Sequence, residues 1–141
     1  MRMLICGLPG RGKTALSKLI VSRLPGTVHL NADVVRGILQ DWDFSLNGRM
    51  RQALRMRQLA ELSAQTSEER LTLLDFVAPT SQARSIVQAD RIVYVNTIQA
   101  GRFEDTNAVF EKPTQVDMEV TTWGDFEDAA ETCAQWGAGA E

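Results

Sequence analysis

Apolar and polar positions along this chain alternate between two periods. "RMLIC", residues 2–6, is a short apolar run that ends in a glycine-rich turn. In "KTALSKLIVSRL" the apolar residues recur at helical spacing until Pro25-Gly26 interrupts them. This opening reads as strand, loop, helix. "TVHLN" predicts a second strand, followed by a short helix from Asp33 to about Gln40 and a polar loop, "DWDFSLNG". From Arg49 to about Glu69 the chain is rich in good helix formers, without internal Gly or Pro, although its apolar residues form no single stripe. "LTLLDF" and "RIVYVN" are nearly continuous apolar runs of the kind expected in strands covered on both faces, with a helix over roughly Thr80 to Gln88 between them. "VDMEVTT" is a weaker fifth strand, and "DFEDAAETCAQW" a closing amphipathic helix with acids in its first turn. Strands alternating with helices predict an α/β fold: a five-stranded parallel sheet with helices on both faces. The segment from Asn96 to Gln115 has no periodicity, and a stretch of that length in a small domain is expected to be functional.

The 141 residues suit one domain, expected over 1–137, with a flexible small-residue tail at 138–141. Hydrophobic residues make up 44% and charged residues 23%, the usage of an ordinary soluble protein, and no segment has the apolar length of a membrane span. The first residues contain no secretory apolar region, so a cytoplasmic setting is expected. A net charge of -3 and a pI near 5.2 argue against a broad duplex nucleic-acid footprint, although they leave room for a local basic pocket. Cys6 and Cys133 fit no paired ligand spacing and are read as reduced thiols. His29 stands without neighbours at metal-ligand spacing and is assigned no role.

Gly7-Leu8-Pro9-Gly10-Arg11-Gly12-Lys13-Thr14 matches G-x-x-x-x-G-K-[ST] at every fixed position, between a predicted strand and a predicted helix. In such a P-loop the glycines let the backbone curl so that successive N–H groups meet phosphate oxygens, and the following helix adds the positive end of its dipole. Lys13 brings a compact cation to the terminal phosphates and the Thr14 hydroxyl can ligate Mg2+. Gly7, Pro9, Gly10, Arg11, Gly12, Lys13, Thr14 and Ala15 are therefore the candidate nucleotide contacts. The chain has no N-K-x-D segment for guanine, which favours ATP.

Ligands of a parallel sheet bind at the carboxyl ends of its strands, which draws in Asp33, Asp75 and Asn96. Asp33 could accept a proton from an acceptor hydroxyl while Arg36, three residues on, fixes an anionic group; alternatively Asp33 is only a helix cap. Asp75 ends "LTLLD" either as a carboxylate that holds Mg2+ or as an Asp that caps the strand end. Arg49, Arg51, Arg55 and Arg57 lie on the long helix, either as a solvated face or as a pocket for phosphate or sulfate oxygens.

These residues together resemble the adenylylsulfate kinases, P-loop kinases that phosphorylate the ribose 3′-hydroxyl of adenosine 5′-phosphosulfate with MgATP. "LNADVVRGIL" is similar to the family's L-D-G-D-N-V-R-x-G-L, retaining Asp33 and Arg36. "DWDFSLNGR" is similar to G-F-S-x-x-D-R, retaining Phe44, Ser45 and Arg49. "FVAPT" is similar to F-I-S-P-Y, retaining Phe76 and Pro79, and "GRFEDTNAVFEKP" to K-G-F-T-G-I-D-D-P-Y-E-P-P, retaining Phe103, Glu111 and Pro113. The resemblance implies Asp33 as general base, Arg36 and Arg49 as substrate-oxygen contacts, Phe44 and Phe103 as an adenine clamp, and Phe76 beside the substrate. It also implies ATP and Mg2+, the metal held by Thr14 and Asp75, a small nucleotide as partner, no membrane, and a homodimer as one possible assembly. The chain departs from the family at Asn31, Val34 and Ala78, and "VYVNTIQAGRF" passes from the fourth strand to the Phe103 segment without the family's basic lid. In this it resembles the compact bacteriophage-encoded members. Two other readings share the P-loop: a polynucleotide or modified-base (hydroxymethyluracil-type) kinase, whose binding would weaken steeply with salt, and a degenerate ATP-binding protein, against which intact Lys13, Thr14 and Asp33 count.

Overall fold

The structure is a computed structural model that describes residues 1–67, 70–97 and 109–139. Five strands form one sheet: β1 (Arg2–Cys6), β2 (Val28–Asn31), β3 (Thr72–Asp75), β4 (Arg91–Val95) and β5 (Met118–Val120). Their order is β2-β3-β1-β4-β5 and every pairing is parallel. Among the described residues five helices cover it: α1 (Lys13–Arg23), α2 (Ala32–Leu39), α3 (Leu46–Thr66), α4 (Ser81–Val87) and α5 (Phe126–Gly137), the last preceded by a 3-10 turn at Trp123–Asp125. The architecture is the one expected from the alternating periods.

The central strands are apolar throughout because both their faces are covered. Met3 and Ile5 of β1 join Leu73, Val93, Leu16, Ile20 and Phe126 in one core layer, whereas Leu4 and Cys6 join Leu74, Tyr94, Ala53, Met56 and Val87 in the other. Adjacent residues of a strand point to opposite faces, so one pentapeptide feeds two cores. Both cysteines are free and buried, and burial pushes each thiol up to about 12, which leaves them unreactive packing groups.

The helix boundaries shift from the expected ones for local reasons. α2 starts at Ala32 because Asn31, not Asp33, supplies its cap: the Asn31 Oδ1 accepts from the Val34 N–H at 2.9 Å. α3 starts at Leu46, inside the stretch read as a loop, because Ser45 caps it through a 3.2 Å bond from the Gly48 N–H. Position 48, inside this helix, requires glycine because a Cβ there would stand 2.2 Å from the Asp43 carbonyl oxygen. That close approach folds the preceding loop back against the first turn of α3. β5 spans only three residues of "VDMEVTT".

The irregular stretch lies partly outside the described residues, as does Phe103. Where it resumes, Phe110 stacks near Tyr94 with centroids 6.0 Å apart, and the Glu111 N–H donates to the Pro79 carbonyl at 2.6 Å. This portion is tied to the end of the sheet where β1 and β3 deliver their loops. No described helix is long and apolar enough to cross a membrane.

Candidate functional site

The loop between β1 and α1 is built on backbone conformations that side chains resist. Gly7 has φ 144° and Gly12 φ 107°. A Cβ on Gly7 would lie 2.4 Å from the Val95 carbonyl oxygen, so the loop can leave β1 in this direction only with glycine there. The turn delivers Pro9, Gly10, Gly12, Lys13, Thr14 and Ala15 to the wall of a cleft with a volume of about 780 Å³. Gly7 shapes the loop against Val95 and is not among the residues that line the cleft. Arg11 does not reach it either: its side chain is buried and donates to Asn96 Oδ1. Asn96, the third strand-end residue expected at the crevice, is thereby turned toward Arg11 and Glu119.

Lys13 is almost buried and donates from Nζ to the Leu8 carbonyl at 3.1 Å. Burial lowers its pKa, and the charges of Asp75 and Asp33 oppose that shift. Both carboxylates therefore lie close enough for their fields to reach the ammonium, one from β3 and one from α2.

Asp75 is the most heavily bonded side chain of the site. Its Oδ2 accepts from the Thr14 hydroxyl at 2.7 Å, from His29 Nε2 at 2.9 Å and from Asn31 Nδ2 at 3.0 Å. Burial pushes its pKa up, but the His29, Thr14 and Asn31 hydrogen bonds and the Lys13 charge outweigh burial and hold the carboxyl below its ordinary value. A carboxyl held down in the folded state contributes stability that is complete above its unfolded value, about pH 4, and is lost as pH falls through the lower folded value. Urea midpoints taken between pH 6 and 3 should therefore fall more steeply for the wild type than for Asp75→Asn; identical acid limbs would contradict this.

The Thr14 hydroxyl and the ionised Asp75 carboxylate form a pair of hard oxygen donors at the edge of the phosphate loop. Mg2+ in phosphoryl-transfer sites takes one or two protein oxygens and fills its remaining positions with phosphates and water. The pair fits that ion. No cluster of three or more His, Cys, Asp or Glu side chains placed to hold a metal exists among the described residues.

Asp33 lines the same cleft as the P-loop. It stands in the first turn of α2, exposed, and because Asn31 performs the capping, its carboxylate has no structural duty at the helix end. Beside it, Arg36 is buried and holds the loop after α2 through the Asp41 and Asp43 carbonyls at 2.8 and 3.3 Å. Its guanidinium lies 4.5 Å from the Phe44 ring centroid, so Phe44 is held at the cleft with 51% of its surface exposed. Arg49 donates from Nε to the Phe44 carbonyl at 2.8 Å, and its Nη1 is buried without a partner among the described residues. Phe76 is a core residue with one edge on the cleft.

The four-arginine pocket does not form. Arg51 and Arg55 both bind Asp41 at 2.9 Å, and Arg57 pairs with Glu61 at 2.8 Å, so Arg49 alone of the four reaches the cleft. Those acids lie in the loop "DWD" and one turn along α3, positions whose approach to the arginines depends on how the loop folds back. His29 and Asn31 are the site residues missed in the sequence. Their signal is the strand period: they are two apart on β2, and Asn31 lies in register with Asp75 of β3. Trp42 and Trp123, which also line the cleft, were missed as well.

The adenylylsulphate kinase family model matches residues 1–115, most of the chain and every cleft residue named above except Trp123. The chain belongs to the adenylylsulphate kinase family. Membership and fold together make it a P-loop kinase of the ATP-dependent, nucleotide-kinase kind. Among solved structures it is similar to the Mycobacterium tuberculosis adenylylsulphate kinase in complex with AMPPNP and APS: TM-score 0.79, 18% identity, 94% of each chain covered. It is also similar to a hexameric adenylylsulphate kinase from Thiobacillus denitrificans, at TM-score 0.71 and 20% identity over 99% of this chain and 29% of that one. The Aquifex aeolicus shikimate kinase shares the fold at TM-score 0.62 and 14% identity, with 94% of this chain and 93% of that chain covered. No curated protein matches the chain in sequence. At these identities the structural likenesses speak for the fold, and the family assignment stands on the family match.

Proposed function

We propose that the protein transfers the γ-phosphoryl group of MgATP to the 3′-hydroxyl of adenosine 5′-phosphosulfate. The observation that carries this reading is that one cleft is lined both by Lys13 and Thr14 and by Asp33, Arg36, Phe44 and Arg49, whose Nη1 is buried without a partner among the described residues. A kinase of a small anionic nucleotide needs those two sets of groups facing each other.

In this reading the backbone of Gly10–Thr14 and the Lys13 ammonium hold the terminal phosphates, with Lys13 moving from the Leu8 carbonyl to phosphate oxygen. Thr14 and Asp75 are the residues that would hold Mg2+, which would supply neutralisation of phosphate charge. His29 and Asn31 hold the same Asp75 oxygen that Thr14 bonds, which fixes that carboxylate beside the phosphate loop. The acceptor lies on the other wall, its adenine against the exposed face of Phe44, which binds by dispersion and apolar burial without reading a hydrogen-bond pattern. Arg49, with Arg36 behind it, meets the acceptor's phosphosulfate oxygens, where a forked guanidinium suits two oxygens at once. Asp33 takes the proton of the attacking hydroxyl as the new oxygen–phosphorus bond forms and the bond from phosphorus to the ADP oxygen breaks. Phe103, expected to close the adenine clamp, belongs to this proposal and lies outside the described residues.

Purified protein supplied with γ-labelled ATP, Mg2+ and adenosine 5′-phosphosulfate should move the label into 3′-phosphoadenosine 5′-phosphosulfate. Label appearing instead on a single-stranded oligonucleotide, and not on the sulfonucleotide, would replace this acceptor by a polymer end. ATP binding without transfer to either would leave a nucleotide-binding protein.

A further inference from the structure

The topology gives the cleft two flanks. The P-loop follows the central strand β1, and the groups assigned to the acceptor, Asp33 and Phe44, follow the edge strand β2. A triphosphate held on the P-loop with its terminal phosphate toward Asp33 must run the other way with its remaining atoms, toward the flank that follows β5. On that flank stands Trp123.

Trp123 opens the turn between β5 and α5, lines the same cleft as Gly12 and Ala15, and keeps 53% of its surface exposed. Its indole is nevertheless held in place. The ring centroid lies 4.7 Å from that of Phe126 at 31°, and Phe126 is buried in the core layer of α1 and α5. A Cβ built on Gly12 would come within 2.8 Å of the indole and 2.6 Å of Phe126, so both rings close onto the last glycine of the P-loop. The turn itself is fixed by the Thr122 hydroxyl donating to Asp125 at 2.8 Å. An aromatic face fixed beside a phosphate cradle and open to the cleft suits a planar ring stacked on it, because stacking requires only a π-face.

We propose that Trp123 is the platform on which the base of the phosphoryl donor stacks, so that the donor is a nucleoside triphosphate held at both ends: phosphates on Gly10–Thr14, base on the indole. This rests on the reading of the P-loop cleft as the donor site. Nothing in the sequence motifs assigns Trp123, which lies beyond the region matched by the family.

The test compares Trp123→Ala, Trp123→Phe and wild type by titration calorimetry with two probes, Mg2+ with a non-hydrolysable ATP analogue and Mg2+ with inorganic tripolyphosphate. The alanine variant should bind the ATP analogue about 5- to 150-fold more weakly, the range expected for loss of one base–aromatic stack. Its tripolyphosphate affinity should not change, and phenylalanine should restore most of the lost affinity. Equal ATP-analogue affinity for alanine variant and wild type would overturn the proposal. So would equal weakening of both probes, since Trp123 would then act only by shaping the P-loop through Gly12. If the wild type bound neither probe, the donor-site reading would fail first and the platform with it; binding of both probes with no effect of Trp123→Ala would sink the platform alone.

Discussion

Asp33→Asn is expected to lower the rate of phosphoryl transfer by about 10²- to 10⁴-fold, the usual contribution of a positioned proton acceptor, while leaving the affinity for MgATP unchanged. The substitution keeps the shape and removes the basic oxygen. It spares α2, because the helix is capped by Asn31 and not by Asp33. The expected signature is therefore a drop in kcat with a nearly constant KM for ATP and a normal unfolding midpoint. A variant with full activity would remove Asp33 from the chemistry. A variant that lost ATP affinity in proportion to its rate would make Asp33 part of nucleotide binding instead.

Lys13→Ala should impair both steps. The ammonium is buried at the base of the cleft within the fields of Asp75 and Asp33, where few water molecules can take its place. Removing one preorganised donor from a site of developing negative charge costs on the order of 10²- to 10³-fold in rate, and loss of the same cation weakens triphosphate binding. Lys13→Arg should not rescue it, because a planar guanidinium cannot occupy the position from which Nζ reaches the Leu8 carbonyl. The measurement is kcat and KM for ATP of the three proteins. Retention of both constants in Lys13→Ala would show that the loop holds no terminal phosphate.

What could be read without coordinates follows a physical rule. The P-loop was legible because its chemistry is local: glycines at fixed offsets, a lysine and a threonine, with a strand before and a helix after. The five-stranded parallel sheet was legible because its central strands are buried on both faces and carry almost nothing but apolar residues. Asp75 was legible as a residue at the end of such a strand. His29 was not, since its role comes from crossing between β2 and β3 to a carboxylate 46 positions away. Asp41 was hidden for a similar reason: its hold on Arg51 and Arg55 depends on a loop folded back against Gly48, and without that fold the arginines look like an anion pocket. Trp123 was hidden because a lone aromatic at the start of a helix has no pattern until α5 packs against α1 and brings it to Gly12. In each of these cases the chemistry depends on two segments meeting, and local periodicity carries no record of the meeting.

Transfer in this cleft requires a terminal phosphate held between Lys13 and Asp33. A crystal structure of the protein with Mg2+, a non-hydrolysable ATP analogue and adenosine 5′-phosphosulfate tests it most directly. It should show the γ-phosphate on the backbone N–H groups of Gly10–Thr14 and the Lys13 ammonium, with the acceptor 3′-hydroxyl within hydrogen-bond reach of the Asp33 carboxylate. A nucleotide bound elsewhere, or a γ-phosphate in the loop with Asp33 turned away from the acceptor, would contradict it.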